Sequence, residues 1–238
     1  MSSLFVVATP IGNLEDVTFR AVRILSEVDL IAAEDTRHTK ILLSKYNINT
    51  PLTSYHKFNI KAKTPYIINI IREGKNLALV SDSGMPGISD PGYELIKAAI
   101  DAGIKVEPIP GASAVVTALA VSGLPTDRFI FEGFLPKKPG KKNKILESLR
   151  TEPRSIIIYE SPYRIIKTLE GIKEIFGERQ IAVCRELTKK FEEIIRGTAT
   201  EVLDKFITKK PIGEFVIVIK GRNKRVNNFS PGNSAGEG

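Results

Sequence analysis

Short apolar runs, each passed through a loop of turn-forming residues to an amphipathic stretch, repeat along the first half of this chain and restrict what it can fold into. Leu4 to Ala8 is β-branched and apolar, Thr9-Pro10-Ile11-Gly12-Asn13 breaks the run, and Thr18 caps a stretch of helical spacing through Glu27. Asp29 to Ala33 reads as a second strand and Thr36 to Tyr46 as a helix. Pro65 is expected in the first turn of a helix running to Glu73, where Gly74 ends it, and Asn76 to Val80 is the next apolar strand. Beyond the loop Ser81 to Gly92, Tyr93 to Ala102 has helical spacing closed by Gly103. Lys105 to Ile109 is a strand, Pro110-Gly111 a turn, and Ala112 to Ser122 a small-residue helix. Such alternation predicts a mostly parallel sheet with helices on its faces, and ligands at the carboxyl ends of its strands. The loops beginning at Thr9, Ser81 and Pro110 all follow predicted strands, so they should gather on one edge and form the binding site.

Gly123-Leu124-Pro125 marks a boundary, which divides the chain into an N-terminal α/β domain, 1–122, and a C-terminal α/β domain, 123–222. Phe129 to Phe134, Ser155 to Tyr159, Gln180 to Arg185, Glu193 to Gly197 and Phe215 to Lys220 read as strands, with Ser161-Pro162 capping a helix to Phe176. Antiparallel pairings are expected here, hence a mixed sheet. Pro136, Pro139 and Gly140 suggest a mobile loop, and 223–238 is a polar Gly/Ser/Asn-rich tail.

Composition narrows the chemistry. In 238 residues, 42% hydrophobic and 26% charged, the chain has enough apolar mass for a core and is neither disordered nor collagen-like. No segment reaches the roughly 18 to 20 apolar residues that span a bilayer, so a cytosolic protein without a membrane role is expected. Cys184 is the one cysteine, and His38 and His56 are the only histidines, which excludes an internal disulfide and a Cys/His zinc cluster. Cys184, between apolar neighbours, reads as core. A net charge of +8 favours polyanionic partners.

Several blocks hold more polar groups than a connection needs, though each has a structural explanation too. Thr9 to Asn13 is a loose phosphate-type turn or simply a tight one. Asp82, just past a strand, can accept from a ligand hydroxyl or face a ligand cation, or it can brace its loop. Glu34-Asp35-Thr36-Arg37-His38 is either a functional cluster or a charged helix start with Asp35 or Thr36 as N-cap. His56 follows Tyr55 in a loop. Glu160-Ser161-Pro162-Tyr163-Arg164 and Cys184-Arg185-Glu186 stand at strand ends, where a helix cap leaves Glu160 and Arg164 unexplained. Basic clusters at Lys137-Lys138, Lys141-Lys142 with Lys144, Lys189-Lys190, Lys209-Lys210 and Arg222 to Arg225 are solvated faces or phosphate contacts.

Taken in order, Val7-Ala8-Thr9-Pro10-Ile11-Gly12-Asn13-Leu14, Ala33-Glu34-Asp35-Thr36-Arg37, Ser81 to Gly92, Pro110-Gly111-Ala112-Ser113-Ala114, Glu160 to Arg164 and Gly213-Glu214-Phe215-Val216 form a recognisable series. Over residues 4 to 221 the chain resembles the bacterial 16S ribosomal RNA (cytidine 2′-O) methyltransferases, a subgroup of the tetrapyrrole methylase superfamily. Relatives acting on cobalamin or sirohaem precursors keep a glycine-rich first loop, replaced here by Pro10-Ile11-Gly12-Asn13. The resemblance implies S-adenosylmethionine bound between two α/β domains, a homodimer, and methylation of the ribose of cytidine 1402 (rRNA numbering) in 16S rRNA of the small ribosomal subunit.

By motif, the resemblance places cofactor contacts on Ile11, Gly12, Asp82, Gly84, Gly87, Ile88, Ala112 and Ser113, with Tyr159, Glu214 and Phe215 from the second domain. Because a 2′-hydroxyl must lose its proton, Glu160, Asp35 and Glu34 are the expected catalytic carboxylates, with His56 and Glu186 also facing the predicted cleft. Arg37, His56, Lys137, Lys138, Lys141, Lys142, Arg164 and Arg185 are the expected RNA contacts. Many members continue past the last strand into a helical segment thought to help hold RNA, whereas this chain ends in a short tail after Arg222. Two other readings stay open: a methylase of a tetrapyrrole or other small molecule on the same fold, and a non-catalytic RNA-binding module.

Overall fold

A computed structural model of the chain describes residues 2–207 and 211–222. The expected polar tail, 223–238, and the Lys209-Lys210 cluster lie outside the described residues. Strands β1 (Ser3–Val7), β2 (Leu30–Ala33), β3 (Leu52–Ser54), β4 (Leu77–Val80) and β5 (Lys105–Ile109) pair in the order β3-β2-β4-β1-β5, every neighbour parallel. Helices α1 (Phe19–Glu27) and α2 (Thr36–Lys45) cover one face, and α3 (Ile60–Arg72) and α4 (Tyr93–Asp101) the other. Ala21, Leu25, Leu42 and Leu43 face the first core, and Ile67, Ile71, Leu95 and Ala99 the second. Both faces of the sheet are therefore dry, which is why β4 reads Leu-Ala-Leu-Val without alternation.

Strands β6 (Phe129–Phe134), β7 (Ser155–Glu160), β8 (Gln180–Arg185), β9 (Glu193–Thr198) and β10 (Phe215–Ile219) form the second sheet, ordered β6-β7-β10-β8-β9. Only β6 and β7 run parallel. One face carries α6 (Pro139–Ser148), α7 (Ile165–Phe176) and α8 (Ala199–Ile207). Against the other lies α5 (Ala114–Val121), whose Val115, Ala118 and Leu119 share a core with Ile157, Ala182, Cys184 and Val218. The small residues of α5 let two layers approach closely, so the halves are joined by apolar packing. Cys184 is fully buried in this layer, and burial pushes its thiol up to about 11, as its reading as core requires.

Four local expectations change. Pro65 lies well inside α3, not in its first turn; the helix starts at Ile60 and gives up one backbone bond at the proline, while Ile67, Ile68 and Ile71 hold it by burial. The stretch read as a mobile loop at Pro136 to Gly140 instead starts α6, with Pro139 in the first turn, where a missing N–H is harmless. Two elements were not foreseen. Edge strand β3 has three half-buried residues and no apolar run. Helix α8 follows Thr198, whose N–H donates to Glu201 Oε2 (2.7 Å) while its hydroxyl accepts from Glu201 N (3.3 Å), a reciprocal capping pair.

Candidate active site

The three breaker-rich loops do gather at the carboxyl edge of the first sheet, stitched by their own backbones. Thr9 N donates to Gly84 O (2.9 Å) and Gly84 N to Thr9 O (3.1 Å), and the Thr9 hydroxyl donates to Ser81 O (3.1 Å). Gly84 has φ +83°, a conformation that suits glycine. Gly111 brings the third loop in: a Cβ there would lie 2.9 Å from that of Ala8. Asp82 Oδ1 accepts from Asp35 N (3.0 Å), so the same carboxylate fixes the start of α2.

From the C-terminal half, the segment after β8 closes over the first loop. Asn13 N donates to the Thr188 hydroxyl (3.1 Å), and Gly12 meets Lys189 so closely that a Cβ would sit 2.5 Å from Lys189 Cγ and 2.9 Å from Leu187 O. Lys189 Nζ donates to Glu186 Oε1 (2.9 Å) and Glu214 Oε2 (3.0 Å), tying the end of β8 to the start of β10.

Two cavities result. The first, about 340 Å³, includes Ile11, Gly84 and Ile88 of the expected cofactor set, with Ser113 at the start of α5. Tyr159, Glu214 and Phe215 line it from the C-terminal half, with Leu187 and Val216 adding apolar wall. The second, about 470 Å³, holds Gly12 and Asp82 and shares Ile11, Ser83 and Glu214 with the first. Gly87 and Ala112 line neither: Gly87 (φ +83°) packs against Gly92 and shapes the loop, and Ala112 is half-buried in the shared core.

The expected catalytic carboxylates sit in three different environments. Asp35 is the N-cap of α2, and its oxygens accept from Arg37 N (2.9 Å), Nε (3.0 Å) and Nη2 (2.6 Å), which hold its carboxyl far below the usual range. Glu160 is 2% exposed and fully engaged: Oε1 accepts from Ser161 N (2.7 Å) and Arg164 Nη2 (2.6 Å), and Oε2 from the Thr168 hydroxyl (2.7 Å). Glu34 is half-buried, and its carboxyl is raised by burial and by the charge of Asp82.

Sequence reasoning missed Asp90, which lines the first cavity. Burial, with Glu34 and Asp82 adding their charges, raises its carboxyl to about 7. No local pattern announces this, because the groups responsible are 56 and 8 positions away in the chain.

The expected RNA contacts are scattered. Arg37 is exposed at the start of α2, and Lys137, Lys138 and Lys141 are exposed around the start of α6. Lys142 donates to Lys167 O (2.7 Å) and burial lowers its pKa, so it braces α7. Arg164 is a strut from Glu160 to Leu135 O (2.8 Å), and Arg185 Nε donates to Ile212 O (2.7 Å). His56 packs on Phe58 beside Glu34. Glu186 is bound to Lys189 and to Glu214 N.

Two α/β halves with a parallel and a mixed sheet, closed over a cleft at the strand ends, are an architecture this chain shares with solved methyltransferases. A cobalt precorrin-4 methyltransferase of cobalamin biosynthesis shares the fold with a TM-score of 0.67 at 18% identity, over 92% of this chain and 94% of that one. A uroporphyrin-III C-methyltransferase from Thermus thermophilus gives 0.64 at 21%, over 92% and 94%. The family model Tetrapyrrole (Corrin/Porphyrin) Methylases matches residues 3–203, and the chain belongs to this family. Within it, ribosomal RNA small subunit methyltransferase I of Thermotoga maritima is 49% identical over 222 residues, 93% of this chain and 100% of that protein. The protein of the same name from Bacillus subtilis is 51% identical over 223 residues, 94% of this chain and 76% of that one. The chain is an S-adenosylmethionine-dependent methyltransferase.

Proposed function

We propose that this protein methylates the ribose 2′-hydroxyl of cytidine 1402 in the 16S rRNA of the small ribosomal subunit. The observation that carries the reading is the near-50% identity, over more than nine-tenths of the chain, to proteins named ribosomal RNA small subunit methyltransferase I. In this reading the enzyme works in the cytoplasm, where small subunits are, and as a homodimer. Phe19, Phe58 and Tyr163, 98%, 84% and 91% exposed, are the kind of side chain an intersubunit face covers. Among the described residues no helix is long and apolar enough to cross a membrane.

The first cavity fits the donor. Ile11, Leu187 and Val216 offer apolar wall for an adenine and a methionyl chain, and Glu214 offers a carboxylate for its hydroxyl or cationic groups. When bound, the cofactor supplies a methyl group made electrophilic by its sulfonium. The chain's part is alignment, which is worth on the order of 7–11 kcal/mol when reacting atoms are held in place, and removal of the hydroxyl proton. Asp35, held ionised by Arg37, is a weak proton acceptor, and Glu160 has both oxygens occupied. Asp90 is the acceptor this reading assigns: it lines the cavity, and a carboxyl near 7 is matched to taking a proton at neutral pH. Glu34 tunes it by charge. Small subunits from a strain lacking the gene, incubated with the protein and methyl-labelled cofactor, should take label into 16S rRNA. Unlabelled subunits, with cofactor binding demonstrated, would refute the reading.

A further inference from the structure

We propose that the second cavity is the acceptor pocket, which receives one nucleotide extruded from the RNA and presents its ribose at the seam with the first cavity. The proposal rests on the methyltransferase reading above and adds where the substrate sits. Transfer between two bound molecules needs the reacting atoms about 3–3.5 Å apart, so donor and acceptor spaces must meet. These two do, at Ile11, Ser83 and Glu214, and their remaining walls differ.

Like the first cavity, the second mixes apolar surface with polar groups, but it draws them from a different element. Leu42 and Ile41 come from α2, and His38, Asp82 and Lys189 bring donors and acceptors. A heterocycle with a hydrogen-bonding edge, attached to a sugar, is the ligand class such walls suit. A space of about 470 Å³ admits a nucleoside and excludes a duplex, so the target must leave its stack to enter. One wall residue also has an unmet bond: Thr39 is 3% exposed, and its Oγ1 has no hydrogen-bond partner among the described residues. Buried hydroxyls are normally paired, and a nucleotide, directly or through a water, would supply the partner. At the same helix end Arg37 projects into solvent, positioned to meet phosphates flanking an extruded nucleotide.

Two variants test this. Ile41 lines the cavity yet is 59% exposed, so Ile41→Trp should fill the pocket without disturbing the core; Thr39→Val removes the hydroxyl and keeps the shape. Cofactor affinity would be read by calorimetry, and methyl transfer on small subunits from the deletion strain. Ile41→Trp should hold cofactor affinity within about twofold and lower kcat/KM for subunits by at least about tenfold; Thr39→Val should raise KM for subunits severalfold with kcat largely kept. Wild-type kcat/KM in Ile41→Trp would overturn the proposal, as would loss of cofactor binding, which would give the cavity to the donor. If the wild-type protein itself leaves subunits unmethylated, the functional reading fails first, and the acceptor assignment falls with it.

Discussion

Replacing Asp90 by asparagine should make the protein more stable at pH 8 and much less active, a combination that a purely structural carboxylate would not produce. The substitution keeps the shape and removes the charge. In the fold, burial and the neighbouring Glu34 and Asp82 raise this carboxyl from 3.8 to about 7. Between those values the folded chain binds more protons than the unfolded one, so this group's contribution falls as pH rises from about 4 to about 7 and is flat above. Taken whole, the difference is ~4 kcal/mol at 1.36 kcal/mol per unit. Asp90 is only half-buried, and screening by water leaves on the order of 1–2 kcal/mol. Asparagine carries no such penalty. Urea denaturation should therefore show Asp90→Asn more stable by about 1–2 kcal/mol at pH 8 and nearly equal to wild type at pH 4. In the methyl-transfer assay, wild-type kcat/KM should rise roughly tenfold from pH 6 to pH 8 as the carboxylate forms, while the variant loses about 100-fold or more and shows no inflection near 7. A variant with wild-type kcat/KM, or with the same inflection, would refute Asp90 as proton acceptor. One less stable than wild type at pH 8 would refute the charge-crowding argument.

Gly12→Ala places a methyl against Lys189 Cγ and Leu187 O, and should destabilise the closed cleft by about 1–3 kcal/mol, read as a lower denaturation midpoint. Glu160→Gln removes the charge that holds Arg164; because Arg164 keeps some contact with water, the loss should be about 2–3 kcal/mol by urea denaturation. Unchanged stability with lost turnover would move Glu160 into the chemistry. Changing Lys137, Lys138 and Lys141 together to Ala should leave cofactor affinity unchanged and reduce the slope of log subunit affinity against log salt by about 2, if these exposed side chains meet phosphates.

What the sequence disclosed was what is local. The Leu77–Val80 strand, the loop from Ser81 to Gly92 and the small-residue helix after Pro110 each follow from neighbours along the chain, and together they put the breaker-rich loops on one edge of the sheet, where the structure has them. Helix α8 was also within reach, because Thr198 and Glu201 have the spacing of a capping pair. Edge strand β3 was not, since Leu52–Ser54 is ordered by pairing with β2 and not by its own pattern. Pro139 illustrates a two-way signal: proline breaks a helix or begins one, and only the packing of Leu146 and Leu149 decides. In the site, residue types were more legible than their engagements. Asp35 was legible as a helix N-cap, and is one, whereas Glu160 looks like a free carboxylate until Ser161, Arg164 and Thr168 are seen to occupy it. Asp90 looks like a turn residue until Glu34 and Asp82 are brought beside it by the sheet.

The most direct test of the central claim is to identify the methylated nucleoside. Small subunits from the deletion strain would be treated with protein and cofactor, and their 16S rRNA digested and mapped by mass spectrometry. The account predicts a single new 2′-O-methylcytidine, at position 1402. Methylation on a base, at another site, or on a small molecule but not on the subunit would contradict it.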